Sequence, residues 1–202
     1  MSDLGLNVSR ETSERLDSYA ALLGKWNAAI NLVSKSSLAD LRTRHFADSA
    51  QLLALCPPTA RHWADLGSGG GFPGLVIAIL AAESLPDLSV TLVESDGRKA
   101  AFLSAVVRET GIRTTVVADR IESLAPLAAD VLSARALAPL PQLLTFAEQH
   151  LAPKGRALFP KGATHRSEVA ESLAEWRFDL REHPSKTDAH AVILEIEGVS
   201  RV

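Results

Sequence analysis

Five glycines stand within the eight residues from Gly67 to Gly74 of WADLGSGGGFPGLVIAIL, residues 63–80. A turn built this way lets backbone N–H groups approach a ligand with no Cβ in the way, and it tolerates positive φ. One carboxylate, Asp65, stands two residues ahead of the first glycine. A second, Glu94, closes the apolar run LSVTLVES. Carboxylates accept hydrogen bonds from hydroxyls and attract cations. Backbone donors beside two acids describe a site for a small molecule that carries hydroxyls and no large negative charge.

Two ligand classes use such a turn. In the register Gly69-x-Gly71-x-x-Gly74 the segment matches the dinucleotide fingerprint, with Glu94 twenty residues later for a ribose. In the register Asp65-x-Gly67-x-Gly69 it matches the first motif of S-adenosylmethionine-dependent methyltransferases. The acid separates them. Pyrophosphate at this position would be repelled by a carboxylate at the strand end. S-adenosylmethionine carries an ammonium and a sulfonium, which a nearby acid favours. Phe72 and Pro73 agree, because a bulky ring stands where a pyrophosphate loop needs open backbone. Glu94 then belongs at the ribose hydroxyls. Asp119, Ile121 and Glu122 in ADRIES fall where the adenine should lie, with Ile121 as an apolar surface.

The site must be held by an alternating chain. From Arg61 onward, β-like runs occur at RHWADL, LSVTLVES, RTTVVA, ADVLSARA, GRALFPK, RFDLREH and AHAVILEIE. Helical patterns are expected between the first five, among them GRKAAFLSAVVRETG, which closes on Gly111. Strand–helix alternation argues a mostly parallel sheet covered on both faces. The turn PSKTD is too short for a crossover helix, so the last two strands should pair antiparallel. Ahead of these strands, Leu16, Tyr19, Leu23, Trp26 and Ile30 recur at helical steps, as do Leu38, Leu41, His45, Ser49 and Leu52. Residues 1–58 are therefore expected to form an N-terminal helical cap. Residues 59–202 form a Rossmann-like α/β domain of seven strands with an antiparallel C-terminal hairpin, and the two make one structural unit.

Composition narrows the classes further. Apolar residues make up 47% of the chain and charged residues 22%, the balance of a globular protein, an enzyme or a binding domain, rather than a membrane or disordered one. No run is long enough to span a bilayer. The first residues lack the basic-then-apolar layout of a signal peptide, so a cytoplasmic location is expected. Cys56 is the only cysteine, which excludes an internal disulfide and a cysteine zinc cage. No metal is expected. The net charge of −3 does not mark a general nucleic-acid binder. The stretch from His150 to Arg166 nevertheless holds Lys154, Arg156, Lys161 and Arg166 and no acid. Such a stretch suits phosphates, or else reads as a strand edge with solvated charges.

For the methyl acceptor, the chain lacks an Asn/Asp-Pro-Pro-aromatic element after the fourth strand, where SARALAPLPQ stands. That argues against amino-group methylation of bases. Cys56 precedes the first strand, far from the nucleophile role that carbon-5 methylation requires. Acceptors with a free lone pair remain, guanine N7 among them.

The segments KWNAAINLVS (25–34), RHFADS (44–49), DLGSGGGFPG (65–74), ADRIES (118–123), ARA (134–136) and FPKG (159–162) together resemble the bacterial 16S rRNA guanine-N7 methyltransferases, the glucose-inhibited division protein B family. The resemblance spans about residues 25–162. It implies a class I S-adenosylmethionine-dependent methyltransferase acting on 16S ribosomal RNA or the small ribosomal subunit. It places cofactor contacts on Gly67, Phe72, Ile121, Glu122 and Arg135, with Glu94 at the ribose, and the glycine turn itself adds Gly69. The sequence departs from the family at Val33, where Thr is common, and at Ala134, where Ser is common. A small-molecule N- or O-methyltransferase and a dinucleotide-binding oxidoreductase or sensor are the alternatives.

Arg135 ends the fourth strand, facing the crevice of the sheet. It is expected to order the cleft, with no general base needed, and an ion pair with Asp65 or Glu122 is its structural alternative. Arg44, His45, Lys161 and Arg166 are the candidate RNA contacts. Arg44 and Asp48, four residues apart, could instead form a surface ion pair. Trp26, Trp63, Trp176, His62 and Cys56 read as structural. The expected protein is a monomer.

Overall fold

In a computed structural model, residues 8–34, 37, 38 and 40–202 are described. Helix α1 (Arg10–Ile30) starts at Ser9, whose hydroxyl accepts from the Thr12 amide, and ends at Asn31 in the left-handed region. Its apolar stripe buries Leu16, Tyr19 and Leu23. The second expected cap helix is a π-helical turn, Leu41–Phe46, running into α2 (Ala47–Leu53). The wider turn advances the chain so that Phe46, not His45, enters the core. The prolines of CPPTA follow the helix end, as the sequence indicates.

Seven strands make one sheet in the order β3-β2-β1-β4-β5-β7-β6. They are β1 (His62–Leu66), β2 (Ser89–Val93), β3 (Thr114–Val117), β4 (Ala129–Ala134), β5 (Leu151–Lys161), β6 (Trp176–Pro184) and β7 (Val192–Arg201). The first five pair in parallel, and β7 pairs antiparallel with both β5 and β6. The terminal hairpin therefore joins the sheet by inserting its second strand. This makes β5 an interior strand, where a strand edge had been one reading of its basic stretch.

Helices α3 (Gly74–Ser84), α4 (Gly97–Thr110), α5 (Leu140–His150) and α6 (His165–Ser172) connect the strands. Among the described residues the expected helix between β3 and β4 is missing. That connection carries only the 3-10 turn Ile121–Ser123, which keeps ADRIES close to the strand ends. Helix α4 begins at Asp96, which caps the amides of Arg98 and Lys99, and ends on Gly111 at φ 64°.

Helix α3 explains the cap. Every residue from Gly74 to Ala81 is buried, so the helix has no polar face to present to water. The sheet covers one side, while α1 and α2 cover the other. The other face of the sheet is packed by α5 and by Trp176. Switching of strand order between β1 and β4 leaves a crevice at their carboxyl ends, where ligands of open α/β sheets bind.

Candidate active site

The glycine turn leaves β1 at Leu66 and enters α3 at Gly74. Gly67, Gly69 and Gly71 have φ of 63°, 55° and 93°, a region that L side chains avoid. Gly74 is needed for another reason. A Cβ there would lie 2.3 Å from Leu92 Cδ2 and 2.6 Å from Asp65 Oδ2, because the helix start presses onto the sheet.

Asp65 is fully buried beneath this turn. Its Oδ1 accepts from the Ser133 hydroxyl at 2.6 Å, and its Oδ2 accepts from the Gly74 amide at 3.2 Å. Trp63 Nε1 donates to the same Ser133 oxygen at 2.9 Å. The carboxylate thus ties β1, β4 and the start of α3 together. Burial raises its pKa to about 6, against the pull of these hydrogen bonds. The expectation that Asp65 faces a cationic ligand needs correcting, since it stands outside the cleft wall. Its oxygens are taken instead by the Ser133 hydroxyl and the Gly74 amide.

Glu94 does face the cleft. It is buried at the end of β2, with Oε2 accepting from the Gly69 amide at 2.8 Å and Oε1 from the Asp96 amide at 2.8 Å. It therefore holds the turn and presents a carboxylate at the crevice. The cavity around it measures about 420 Å³. Gly67, Gly69, Phe72, Glu94, Ile121, Glu122 and Arg135 all line it, as does Asp119. The structure thus brings all seven sequence-selected cofactor residues to one cleft.

The cap supports the turn from behind. Tyr19 donates its hydroxyl to the Gly70 carbonyl, and a Cβ at Gly70 would lie 3.2 Å from the Leu32 carbonyl. Asn27 Oδ1 accepts from the Val33 amide at 2.9 Å, which fixes the KWNAAINLVS segment. Sequence reading took Tyr19 only as a core residue, because the partner of its hydroxyl is fifty-one residues away. Leu137 is a cleft residue that it passed over, one that ALAPL does not distinguish from ordinary core.

Arg135 follows β4. Its Nη1 donates to Asp48 Oδ2 at 3.3 Å and its Nη2 to His45 Nδ1 at 2.9 Å. The guanidinium lies 4.9 Å from the centroid of the Phe72 ring, and His45 stacks on that ring at 4.7 Å. The alternative partners Asp65 and Glu122 are not the ones used, because Asp65 is spent on the helix start and α2 supplies Asp48. For the same reason the Arg44–Asp48 pair does not form. Burial, reinforced by Arg135, lowers the His45 pKa to about 4, so His45 is neutral at pH 7.

Lys161 donates to the Ala138 carbonyl at 2.9 Å and pairs with Glu168 at 2.7 Å. Arg156 pairs with Glu195 at 2.6 Å and with Glu197 at 2.9 Å. The basic stretch thus acquires its acids from β7 and α6. Arg166 is exposed on α6 and does not reach the cleft, while Arg44 is exposed on the π-helical turn. Trp63 and Trp176 are buried, and Trp26 packs against Phe102. His62 Nε2 meets the Thr91 hydroxyl at 2.9 Å. Among the described residues no group of three or more His, Cys, Asp or Glu side chains is arranged to hold a metal, and no helix is long and apolar enough to cross a membrane.

The chain is similar to known methyltransferases over nearly its whole length. A family described as rRNA small subunit methyltransferase G matches residues 12–195. A ribosomal RNA small subunit methyltransferase G of Ruegeria pomeroyi is 55% identical over 197 residues, covering 98% of this chain and 96% of that one. A protein of the same description from Cereibacter sphaeroides is 51% identical over 197 residues, with coverages of 98% and 96%. Among solved structures, the mitomycin 7-O-methyltransferase MmcR matches with a TM-score of 0.62 at 16% identity, over 93% of this chain and 67% of that one. A mutant of MtNAS in complex with S-adenosylmethionine matches at 0.59 and 16%, over 92% and 75%. The structural matches concern the fold; sequence identity and the family match decide the family. The chain belongs to the rRNA small subunit methyltransferase G family, with the class I fold of S-adenosylmethionine-dependent methyltransferases.

Proposed function

We propose that this enzyme transfers the methyl group of S-adenosylmethionine to N7 of one guanine in 16S ribosomal RNA, as naked RNA or within the small subunit. The names of its close relatives support the rRNA substrate. In this reading residues 1–58 are the cap that steadies the glycine turn, residues 59–202 are the catalytic unit, and a cytoplasmic monomer works without metal.

The cleft suits the methyl donor on chemical grounds. Glu94 offers carboxylate oxygens to ribose hydroxyls, Ile121 an apolar face to an adenine, and the glycine turn its backbone to the amino-acid end. S-adenosylmethionine, when bound, supplies an electrophilic methyl carbon on a sulfonium. The lone pair of N7 forms the new N–CH3 bond as the C–S bond breaks and its electron pair returns to sulfur. Positive charge passes to the guanine ring, and no proton leaves N7 in that step. The chain's residues must then align the partners and exclude water, with no general base of tuned pKa.

The single observation that carries this reading is the state of His45. It is the ionisable ring nearest Arg135, yet burial holds it neutral and Arg135 occupies its Nδ1. A side chain spent as a hydrogen-bond acceptor is suited to positioning rather than to proton abstraction. The test is methylation of 16S RNA and of small subunits from cells lacking the protein, followed by mass spectrometry of the nucleosides. 7-Methylguanosine at one position is expected. Methylation of another atom, or none, overturns the reading.

A further inference from the structure

A second cavity, of about 690 Å³, adjoins the cofactor cleft. Arg135 and Ala136 line both, so these two residues form a shared wall. Ala136 sits at φ 53°, a conformation that a non-glycine residue rarely adopts. The other walls include Ser37, the π-helical turn at Arg44 and His45, the end of β5 at Lys161, and the turn between β6 and β7, residues 185–191. The volume lies in the roughly 300–1,000 Å³ range of pockets that enclose a small ligand.

The β6–β7 turn is latched to α2 by its polar groups. Thr187 donates its hydroxyl to Asp48 Oδ1 at 2.9 Å, and the Lys186 amide donates to Gln51 Oε1 at 2.9 Å. Gln51 Nε2 donates to the same Asp48 oxygen at 2.8 Å. The other oxygen of Asp48 takes Arg135. One carboxylate therefore joins the outer wall of the second cavity to the residue that divides it from the cofactor cleft.

The charges around this cavity fit an RNA nucleotide. The Arg44 guanidinium is exposed at its rim and makes no hydrogen bond or ion pair among the described residues, which suits a phosphate. Lys161 has three donors and uses two of them on Ala138 and Glu168, leaving one for an acceptor on a base. Guanine presents O6 beside N7, whereas adenine presents an amino group there. Asp48 and Asp188 also line the cavity, but the free Lys161 donor favours the O6 acceptor of guanine. The major groove of an RNA duplex is too deep and narrow for side chains to read N7 in place, and enzymes that react at a base extrude it from the stack.

We propose that the second cavity receives a single guanine nucleotide extruded from RNA, with the β6–β7 turn as its outer wall and Asp48 as the positioning residue that links this wall to Arg135. The proposal rests on the rRNA methylation reading above. It assigns the acceptor pocket to the cap and the C-terminal hairpin together, two parts of the chain outside the glycine-turn motif.

Two variants on the exposed turn test it. Ala189→Trp puts a bulky ring at the cavity wall, and Thr187→Val removes the hydroxyl that holds Asp48 at nearly the same volume. For Ala189→Trp, kcat/KM for small-subunit RNA is expected to fall at least tenfold, with the S-adenosylhomocysteine Kd and the Tm unchanged. For Thr187→Val the loss should fall on kcat more than on KM, with activity restored in Thr187→Ser. Native kcat/KM in Ala189→Trp overturns the pocket. If that variant does not fold, native kcat in Thr187→Val overturns it instead. A native enzyme that methylates no RNA at all would defeat the functional reading itself, an outcome distinct from either.

Discussion

The guanidinium of Arg135 donates to Nδ1 of His45 at 2.9 Å, so the imidazole is an acceptor at that nitrogen and carries its proton on Nε2. Arg135 is itself anchored by Asp48 at 3.3 Å and by the Phe72 ring. Three residues from two separate segments thus fix one cation at the end of β4. Arg135→Ala removes that cation from the wall of both cavities. Methylation is expected to fall by about two orders of magnitude, as for loss of a positioned charge, while thermal melting still shows a cooperative fold.

The pH dependence of the reaction follows from the groups near the cleft. His45 is neutral above about 4, and the Asp65 carboxyl beneath the glycine turn titrates at about 6, below the working range. With no titrating base required, single-turnover methyl transfer should stay nearly flat from about pH 6.5 to 8.5. A steep rise following one ionisation would instead indicate a general base and an amino, hydroxyl or ring N–H acceptor.

Glycines of one turn should fail in two different ways. At Gly69, φ is 55° and an added Cβ meets only the Gly67 carbonyl at 3.7 Å. Gly69→Val strains the backbone and puts a branched side chain on the ligand's side of the turn, so S-adenosylhomocysteine binding measured by calorimetry should be lost. At Gly74 the added Cβ collides with Leu92 and Asp65 inside the protein. Gly74→Ala should lower folding stability by about 1–3 kcal/mol, read by urea denaturation.

Asp65 and His45 should shift stability in opposite senses with pH. Burial raises the Asp65 pKa from 3.8 to about 6, so between these values the folded state holds a proton that the unfolded chain releases. Its contribution is present at low pH and lost as pH rises to about 6. The stability of Asp65→Asn relative to the native protein should therefore increase from pH 4 to pH 7. His45 is lowered from 6.5 to about 4, so its contribution is present above 6.5 and lost as pH falls. His45→Gln should lose its disadvantage over that interval. Urea titrations at a series of pH values check both.

RNA affinity should come from a few local charges, because Arg156 and Lys161 of the basic stretch are already paired. Arg44→Ala should weaken RNA binding, reduce the salt slope by about one, and leave S-adenosylhomocysteine affinity intact. Lys161→Met should also lower stability, because it leaves Glu168 without its ammonium partner. Filter binding across a salt series, paired with thermal melts, separates these effects.

Local sequence was enough to locate the strands, the glycine turn, the acid at the end of β2 and the Gly111 helix stop. Each rests on a short-range property: alternation of apolar residues, the absence of Cβ, or the spacing of a cap. The C-terminal hairpin was equally legible, since PSKTD leaves no room for a crossover. The partners of charges were not. Asp65 serves the start of α3, Arg135 turns to α2, and Arg156 and Lys161 take acids from β7 and α6, across separations from seven to eighty-seven residues. The insertion of β7 between β5 and β6 and the π-helical turn at Leu41–Phe46 were likewise decided by packing. A charge or a sheet edge binds whatever the folded chain brings within hydrogen-bond reach, and that proximity has no period or spacing in the sequence to reveal it.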